Sequence, residues 1–98
     1  MVILPLITAL SEPFPNPFRG RTEFKAAINE DGRVRMTVYN VRGQRVRRLV
    51  DQSKIVGIYN ITWDGKDDRG NFVASGVYNI EMRHGNEKIG VVRVSFVR

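Results

Sequence analysis

Four polar side chains with metal-ligating oxygens lie close together in one predicted loop: Asp64, Asp67, Asp68 and Asn71. Such oxygens suit calcium, and an EF-hand loop needs them at alternating positions with glycine sixth and glutamate twelfth. Counted from Asp64, the third, sixth and twelfth residues are Lys66, Arg69 and Ser75, so the loop departs from that pattern. Because two cations lie inside the loop and Asp64 can accept hydrogen bonds from loop amides, we favour a self-capped turn, with an irregular calcium site as the alternative.

The other groups that could carry out catalysis are isolated from one another. His84 is the single histidine, the chain has no cysteine, and the serines at 11, 53, 75 and 95 lie far from that histidine in the sequence. One imidazole is a poor zinc site, and a nucleophilic serine needs an adjacent base. The acids lie in predicted turns, which does not suit a pair of carboxylates across a cleft. The sequence therefore predicts a protein that is not an enzyme and has no cofactor.

Charge is the main clue to partners. Twelve arginines and four lysines against ten acids give a formal net charge of +6, and a pI near 10.3 permits binding to nucleic acid, acidic glycans or an anionic membrane surface. Because the arginines are dispersed along the sequence, we favour a merely solvated strand face over a dedicated anion site. Weak binding to anionic glycans stays open, whereas nucleic-acid binding is disfavoured because most aromatic residues are predicted to point inward.

These groups must be positioned by β-strands, since no run of a dozen residues has the period of a helix. The stretch 57–78 organises the chain: Tyr59, Ile61 and Trp63 alternate with polar residues, and a polar loop with glycine at each end follows. A brief strand is predicted at Phe72–Val73. With 98 residues, the chain is long enough for one domain with a single core.

The remaining strands follow the same alternation, with turn signals that make about seven strands in all. The residues predicted to face inward are Phe24, Ala26, Ile28, Val34, Met36, Val38, Val92, Val94 and Phe96. Those predicted to face solvent are Arg33, Arg35, Thr37, Arg93 and Ser95. The adjacent Arg47 and Arg48 break the alternation and indicate a bulge. Residues 51–56 are predicted to be a connection.

The first thirteen residues are predicted to be a linker or an edge strand. Their apolar run contains Pro5, has no basic start and is about half the length that crosses a bilayer, so we expect neither a targeting segment nor membrane insertion. In the proline-rich stretch 11–20, the prolines favour an extended, polyproline-like path. Phe14 and Phe18 are predicted to anchor it against the domain.

Four motifs in series resemble one family. They are Pro15-Asn16-Pro17-Phe18; residues 38–46; Gly57, Tyr59, Trp63, Asp64 and Gly65; and residues 74–78 with Ser75, Gly76 and Tyr78. This order and spacing is similar to the Ig-like domain of flagellar hook-capping proteins and to the C-terminal sorting domain of type IX secretion cargo. The resemblance implies an all-β, immunoglobulin-like (fibronectin III-like) antiparallel sandwich over residues 14–98.

The resemblance also implies a function. Such domains are non-catalytic C-terminal modules of secreted or cell-surface bacterial proteins, and they act as a sorting signal or as an assembly spacer. The expected partners are the secretion machinery or neighbouring domains of the parent protein. One departure is that sorting domains commonly end on a strand with lysine, whereas residues 91–98 carry arginine only. The alternative function is a carbohydrate- or polyanion-binding sandwich that uses the basic surface.

Overall fold

The computed structural model describes residues 7–98, and within them the chain forms β-strands and no helix, hence none that could span a bilayer. The strands are β1 (Ala9–Leu10), β2 (Thr22–Ile28), β3 (Gly32–Tyr39), β4 (Arg45–Lys54), β5 (Gly57–Trp63), β6 (Gly76–His84) and β7 (Glu87–Phe96). They make two antiparallel sheets, in the orders β1-β2-β5 and β4-β3-β6-β7. The predicted all-β, antiparallel architecture of about seven strands is confirmed.

One core lies between the two sheets, and alternation along each strand builds it. Its buried apolar residues are Phe18, Phe24, Ala26, Ile28, Val34, Met36, Val38, Val50, Ile61, Trp63, Tyr78, Ile80, Met82, Val92, Val94 and Phe96. The residues predicted to face inward belong to this core, except Tyr59. Alternation places Tyr59 on the same face as Ile61 and Trp63, but it is only partly buried and packs against the core. Burying apolar surface is the main favourable contribution to folding, so the period of two is what specifies the sandwich.

Thr37 is predicted to be exposed to solvent, and this prediction is wrong. Thr37 lies on the outer side of β3, but only 3% of its surface is accessible. β3 is a central strand, and the Cα partners of Thr37 are Arg48 on β4 and Glu81 on β6. Because these long side chains stand on both sides of a short one, they exclude water from the threonine.

Strand β4 is irregular where the sequence indicates it and longer than predicted. Met36 pairs with Val50 while Thr37 pairs with Arg48, so Leu49 has no partner and forms a bulge. The predicted irregularity beside Arg48 is therefore confirmed. The predicted connection 51–56 is wrong, because β4 continues through Lys54 in register with the start of β3, and only residues 55–56 join it to β5.

Two further segments differ from the sequence predictions in how strands are assigned. The prediction of a brief strand at Phe72–Val73 is wrong, because Phe72 forms only a single bridge, to Lys66, and is about half exposed. The seventh strand is instead β1, whose Ala9 and Leu10 pair with the end of β2 as an edge strand. Residues 1–6 lie outside the described part of the chain, and the domain boundary at residue 14 stays a prediction.

The proline-rich stretch crosses from one sheet to the other instead of following one extended path. Phe14 bridges to Glu23 on β2, and Phe18 bridges to Phe96 on β7; the Phe14–Pro15 and Asn16–Pro17 peptide bonds are cis. Phe18 is buried as predicted, but Phe14 is 79% exposed, so its predicted anchoring role is wrong. Its partner Glu23 points outward, and bridged residues share a face of the sheet, so the Phe14 ring also lies outside.

Candidate functional site

The aromatic cluster is formed by Phe18, Trp63, Tyr78 and Phe96 at one end of the sandwich. The ring of Trp63 lies 5.4 Å from that of Phe18, 5.2 Å from that of Tyr78 and 6.1 Å from that of Phe96, centre to centre. Trp63 is fully buried, and its Nε1 donates a hydrogen bond of 3.0 Å to the carbonyl oxygen of Lys66. A buried indole thus fills the space between the sheets while its one polar atom is satisfied.

Gly65 closes the chain over this cluster. Its φ of +75° lies in the left-handed region, which side chains disfavour. A Cβ placed on it would also stand 2.5 Å from a carbon of the Phe96 ring. The glycine is therefore required twice, for the turn and for the close approach of the loop to Phe96.

The acids that suggested a calcium site are instead bonded to their own loop and to β4. Asp64 accepts a hydrogen bond from the Lys66 amide at 3.1 Å, and Asp67 accepts from the amides of Arg69 and Asn71 at 2.9 and 3.0 Å. Asp68 accepts from the backbone amide of Arg48 at 2.9 Å. Within residues 7–98, no three histidine, cysteine or acidic side chains converge in a way that could hold a metal ion. The carboxylates thus tie the loop to itself and to the edge of the four-stranded sheet.

The motif residues before β2 cover the edge of β7. The Asn16 side chain accepts a hydrogen bond from the Ser95 amide at 2.9 Å and donates one to the Arg93 carbonyl at 3.1 Å. Phe18 continues the pairing through its amide, which donates to the Ser95 carbonyl at 2.9 Å. The Pro15 carbonyl accepts a hydrogen bond of 2.8 Å from the hydroxyl of Thr22. Covering an edge in this way blocks uncontrolled strand pairing.

The remaining motif residues are not brought into the aromatic cluster. Gly57 begins β5 at the opposite end from Trp63, and the Tyr59 hydroxyl there donates a hydrogen bond of 2.7 Å to the Ile55 carbonyl. Ser75, just before Gly76 at the start of β6, accepts a hydrogen bond of 2.8 Å from the Arg98 amide. The motif is therefore a distributed set of structural contacts, and the structure does not assemble it into one reactive site.

The outer face of the four-stranded sheet gathers cations that lie far apart in the sequence. Cα pairing places Arg35 of β3 opposite Arg83 of β6, and Arg83 is in turn opposite Lys88 of β7. On its other side, Arg35 pairs with Asp51 of β4. We call Arg35, Arg83 and Lys88 the basic row. The arginines are dispersed along the sequence, and this favoured a merely solvated face. In the fold, several of them lie close together.

Asp51 is shared by three arginines at one side of the basic row. Its Oδ1 lies 2.8 Å from Arg33 Nη2 and 3.3 Å from Arg35 Nε, and its Oδ2 lies 3.4 Å from Arg48 Nη1. The hydrogen bond from Arg33 and the charges of Arg33 and Arg35 hold the pKa of the Asp51 carboxyl below its ordinary value. This carboxylate stays ionised under mildly acidic conditions.

Glu81 is the second acid on this face and is also shared. Its Oε1 lies 3.0 Å from Arg83 Nε, and its Oε2 lies 3.9 Å from Lys88 Nζ. Together, Asp51 and Glu81 pair with more cations than they can neutralise. The face therefore keeps a surplus of positive charge.

An open concavity of about 330 Å³ adjoins the basic row on the same face. It is lined by Tyr39, Asn79, Glu81 and Val91, together with the hairpin that joins β3 to β4. The Tyr39 ring is half-buried, and its Cα partner on β6 is Asn79. A ring, an amide and a carboxylate thus meet in a site open to solvent.

Two groups of residues could not be found from the motifs alone. Arg47 joins β4 to the loop, with its Nη1 3.6 Å from Asp64 Oδ1 and 3.3 Å from the Asp67 carbonyl oxygen; the break in alternation there was its only signal. The basic row could be found only by knowing which strands are paired in the sheet. The turn at residues 84–86 sets Lys88 opposite Arg83, but nothing local sets Arg83 opposite Arg35.

Residues 18–88 match the FlgD Ig-like domain family. The fold is similar to that of FlgD from P. aeruginosa, with a TM-score of 0.58 and 22% identity over 76% of this chain and 57% of that chain. It is also similar to FlgD from Xanthomonas campestris, with a TM-score of 0.62 and 22% identity over 90% of this chain and 65% of that chain.

A third similar structure is dimeric latent PorU from Porphyromonas gingivalis, with a TM-score of 0.70 and 20% identity over 97% of this chain and 10% of that chain. The chain thus spans less than two thirds of each of these proteins. A comparison with curated proteins found no match. The solved structures establish the immunoglobulin-like fold, and the family match adds a structural, non-enzymatic class of domain. The chain belongs to the FlgD Ig-like domain family.

Proposed function

We propose that this domain is a non-catalytic module of a secreted or cell-surface bacterial protein, in which it serves as a sorting signal or as an assembly spacer. The observation that carries the proposal is the relation to PorU, where 97% of this chain corresponds to only 10% of a much longer protein. A domain that accounts for so small a part of a protein is an appended module, whose function is expressed through the rest of that chain.

The arrangement of the motif residues supports a non-catalytic module. Trp63 and Tyr78 are in the core, Gly65 closes the loop, and Asn16 covers the edge of β7. Each of these four residues stabilises the fold, and none of them is an activated nucleophile or base that is exposed to solvent. A module of this kind acts through its shape and its surface, either by being recognised during export or by spacing and docking its neighbours.

A sorting role is tested by fusing residues 11–98 to the C-terminus of an exported fluorescent reporter, in a bacterium with a type IX secretion system. Labelling intact cells with an antibody to the reporter measures surface delivery. We expect the reporter at the surface with this domain. Two controls are the same fusion carrying Trp63→Ala, which disrupts the core, and a fusion to the Ig-like domain of Xanthomonas campestris FlgD, which tests fold alone.

The outcomes separate the two versions of the proposal. Surface delivery by this domain and not by either control supports a sorting signal. A reporter that stays in the periplasm, although the fused domain is folded and resists proteolysis, contradicts the sorting role and leaves the assembly spacer. Equal delivery by the FlgD domain would mean that the fold alone is recognised, without a contribution from residues particular to this chain.

A further inference from the structure

We propose that the outer face of the four-stranded sheet binds an acidic polysaccharide, with acidic groups of the polymer on the basic row and a sugar ring against Tyr39. The site is separate from the aromatic cluster and from the contacts that hold the fold. It also goes beyond the proposed role in sorting or assembly, which requires no ligand.

The first argument is the geometry of the basic row. Arg35, Arg83 and Lys88 stand opposite one another on three neighbouring strands, which are about 4.8 Å apart. Like charges directly opposite each other in a sheet repel one another, and an anion bound there would relieve that repulsion. The nearby Asp51 and Glu81 relieve only part of the repulsion, since three arginines share the first and two cations share the second.

The second argument is that the charge lies on one face. By register, the outer face of the four-stranded sheet carries seven cations, namely Arg33, Arg35, Arg45, Arg48, Arg83, Lys88 and Arg93. Its acids are Asp51 and Glu81, and Asp68 of the loop pairs with Arg45 at 3.4 Å. Even with Asp68 counted, this face accounts for most of the formal net charge of +6. The outer side of the pair β2–β5 carries only Glu23 and Lys25 beside neutral residues. A polyanion would therefore be drawn to one side of the sandwich.

The third argument is the chemistry that surrounds the cations. Tyr39 offers a half-buried ring beside the amide of Asn79 and the carboxylate of Glu81, in a concavity of about 330 Å³. A ring suits the apolar face of a sugar, and the amide and carboxylate suit its hydroxyls. Arg35 and Tyr39 are four residues apart on β3, roughly 13 Å. A ligand that touches both must be a polymer, since a single sugar does not span that distance.

The same surface fits other macromolecules less well. Protein interfaces use large apolar or aromatic anchors at their centre, whereas the exposed apolar side chains here are valines such as Val91. Single-stranded nucleic acid needs successive aromatic rings for its bases, and this face offers Tyr39 alone. Charge complementarity together with one ring therefore favours an acidic polysaccharide.

The binding test uses the 98-residue chain and calorimetric titration at 150 mM salt. The probes are polygalacturonate, which supplies carboxylates, heparin, which supplies sulfates, and dextran, which is neutral. We expect binding to at least one acidic polymer and none to dextran, and the preferred polymer identifies the acidic group. Absence of binding to both acidic polymers would overturn the proposal, as would equal binding to dextran.

The site is located with variants of matched charge. The double variant Arg35→Gln/Arg83→Gln removes two charges from the basic row, and Arg21→Gln/Lys25→Gln removes two exposed charges elsewhere. We expect an affinity loss of at least about tenfold for the first, because charge-assisted hydrogen bonds are lost, and less than about threefold for the second. Equal losses would overturn the proposal, because attraction would then depend on net charge alone. Lys88→Gln, on the edge strand, is a milder variant should the double variant fold poorly.

Tyr39→Ala tests the sugar contact. We expect it to weaken polysaccharide binding by at least about threefold and to leave binding to duplex DNA unchanged, since a duplex hides its bases from the ring. Tighter binding to DNA than to either acidic polysaccharide, with no effect of Tyr39→Ala, would show a nucleic-acid surface instead and overturn the assignment. Unchanged thermal unfolding midpoints confirm that each variant is folded.

Discussion

The two faces of the four-stranded sheet are made by alternate residues of the same strands, yet they are built differently. The inner face carries Val34, Met36 and Val38 on β3, each with at most 1% of its surface accessible. The outer face of that strand carries Arg33 and Arg35, whose side chains are about half exposed. One strand therefore supplies both the packing that holds the domain and a surface that is open to a partner.

This difference has an energetic basis. Burying a medium-sized apolar side chain contributes about 1.5–3 kcal/mol, whereas an exposed ion pair typically contributes about 0–1 kcal/mol. The inner face should therefore tolerate little change, and the outer face should tolerate much. It follows that the charges on the outer face are available for recognition at little cost to folding.

The largest expected effect comes from removing part of the inner wall. A chain that ends at Gly90 loses Val92, Val94 and Phe96, together with the β7 backbone that pairs with Asn16 and Phe18. We expect this chain not to fold, as judged by amide dispersion in an NMR spectrum. Removal of Arg98 alone, which is exposed, is the control. Cooperative unfolding of the truncated chain would contradict the assignment of β7 to the core.

Trp63→Ala tests the centre of the aromatic cluster. Because the indole is fully buried among three rings, we expect a loss of about 3–5 kcal/mol in the free energy of unfolding, measured with urea. Trp63→Phe keeps a ring and should lose less. A urea midpoint that hardly moves in Trp63→Ala would show that the inner face does not depend on this cluster.

Gly65→Ala tests the close approach of the loop to the core. Gly65 and Gly70 both have a left-handed φ, +75° and +85°, but a Cβ on Gly70 meets nothing within 4 Å. We expect a cost of about 1–2 kcal/mol for Gly70→Ala from backbone conformation alone. Gly65→Ala should cost about 1–3 kcal/mol more because of the clash with Phe96. Equal losses in urea unfolding would mean that the loop does not press on the ring.

Tyr78→Phe sharpens the comparison through pH. Burial raises the pKa of the Tyr78 hydroxyl in the folded domain, so the unfolded chain loses this proton first. The contribution of Tyr78 to the free energy of unfolding should then be constant up to about pH 10 and fall as the pH rises further. Urea unfolding at several pH values should show a smaller fall in Tyr78→Phe. A fall of undiminished size in that variant would contradict burial of the hydroxyl as its cause.

Tyr78→Phe also removes a hydrogen bond, and this loss is measured at neutral pH. The Tyr78 hydroxyl donates to the Ala74 carbonyl at 2.6 Å, so we expect a cost of about 1 kcal/mol at pH 7. Tyr59→Phe removes a similar bond to Ile55 from a more exposed site and is the matched control. It should cost no more than Tyr78→Phe.

The inner face could be predicted from the sequence because its signal is local. Val34, Met36 and Val38 alternate with charged or polar neighbours, and this alternation predicts that they face inward. Trp63 follows the same rule. Local patterns fail where a tertiary contact decides. Phe14 and Phe18 look alike in a proline-rich stretch, and only the strand that each one meets places one outside and the other inside.

The outer face could be predicted only in part. Alternation points Arg35 and Arg83 toward solvent, but which strands are neighbours depends on the topology of the whole sheet. Their approach across β3 and β6 joins residues almost fifty positions apart, and no turn connects those strands directly. A cluster assembled in this way has no signature in sequence spacing, so the arginines looked dispersed.

The inner face of the four-stranded sheet holds the domain together, and its outer face is free to bind a partner. Substitutions at two adjacent residues of β3, one on each face, test this most directly. Met36 is buried on the inner face, and Arg35 belongs to the basic row on the outer face. We expect urea unfolding to give a loss of about 2–5 kcal/mol for Met36→Ala and less than about 1 kcal/mol for Arg35→Ala. A loss for Arg35→Ala as large as that for Met36→Ala would contradict the account.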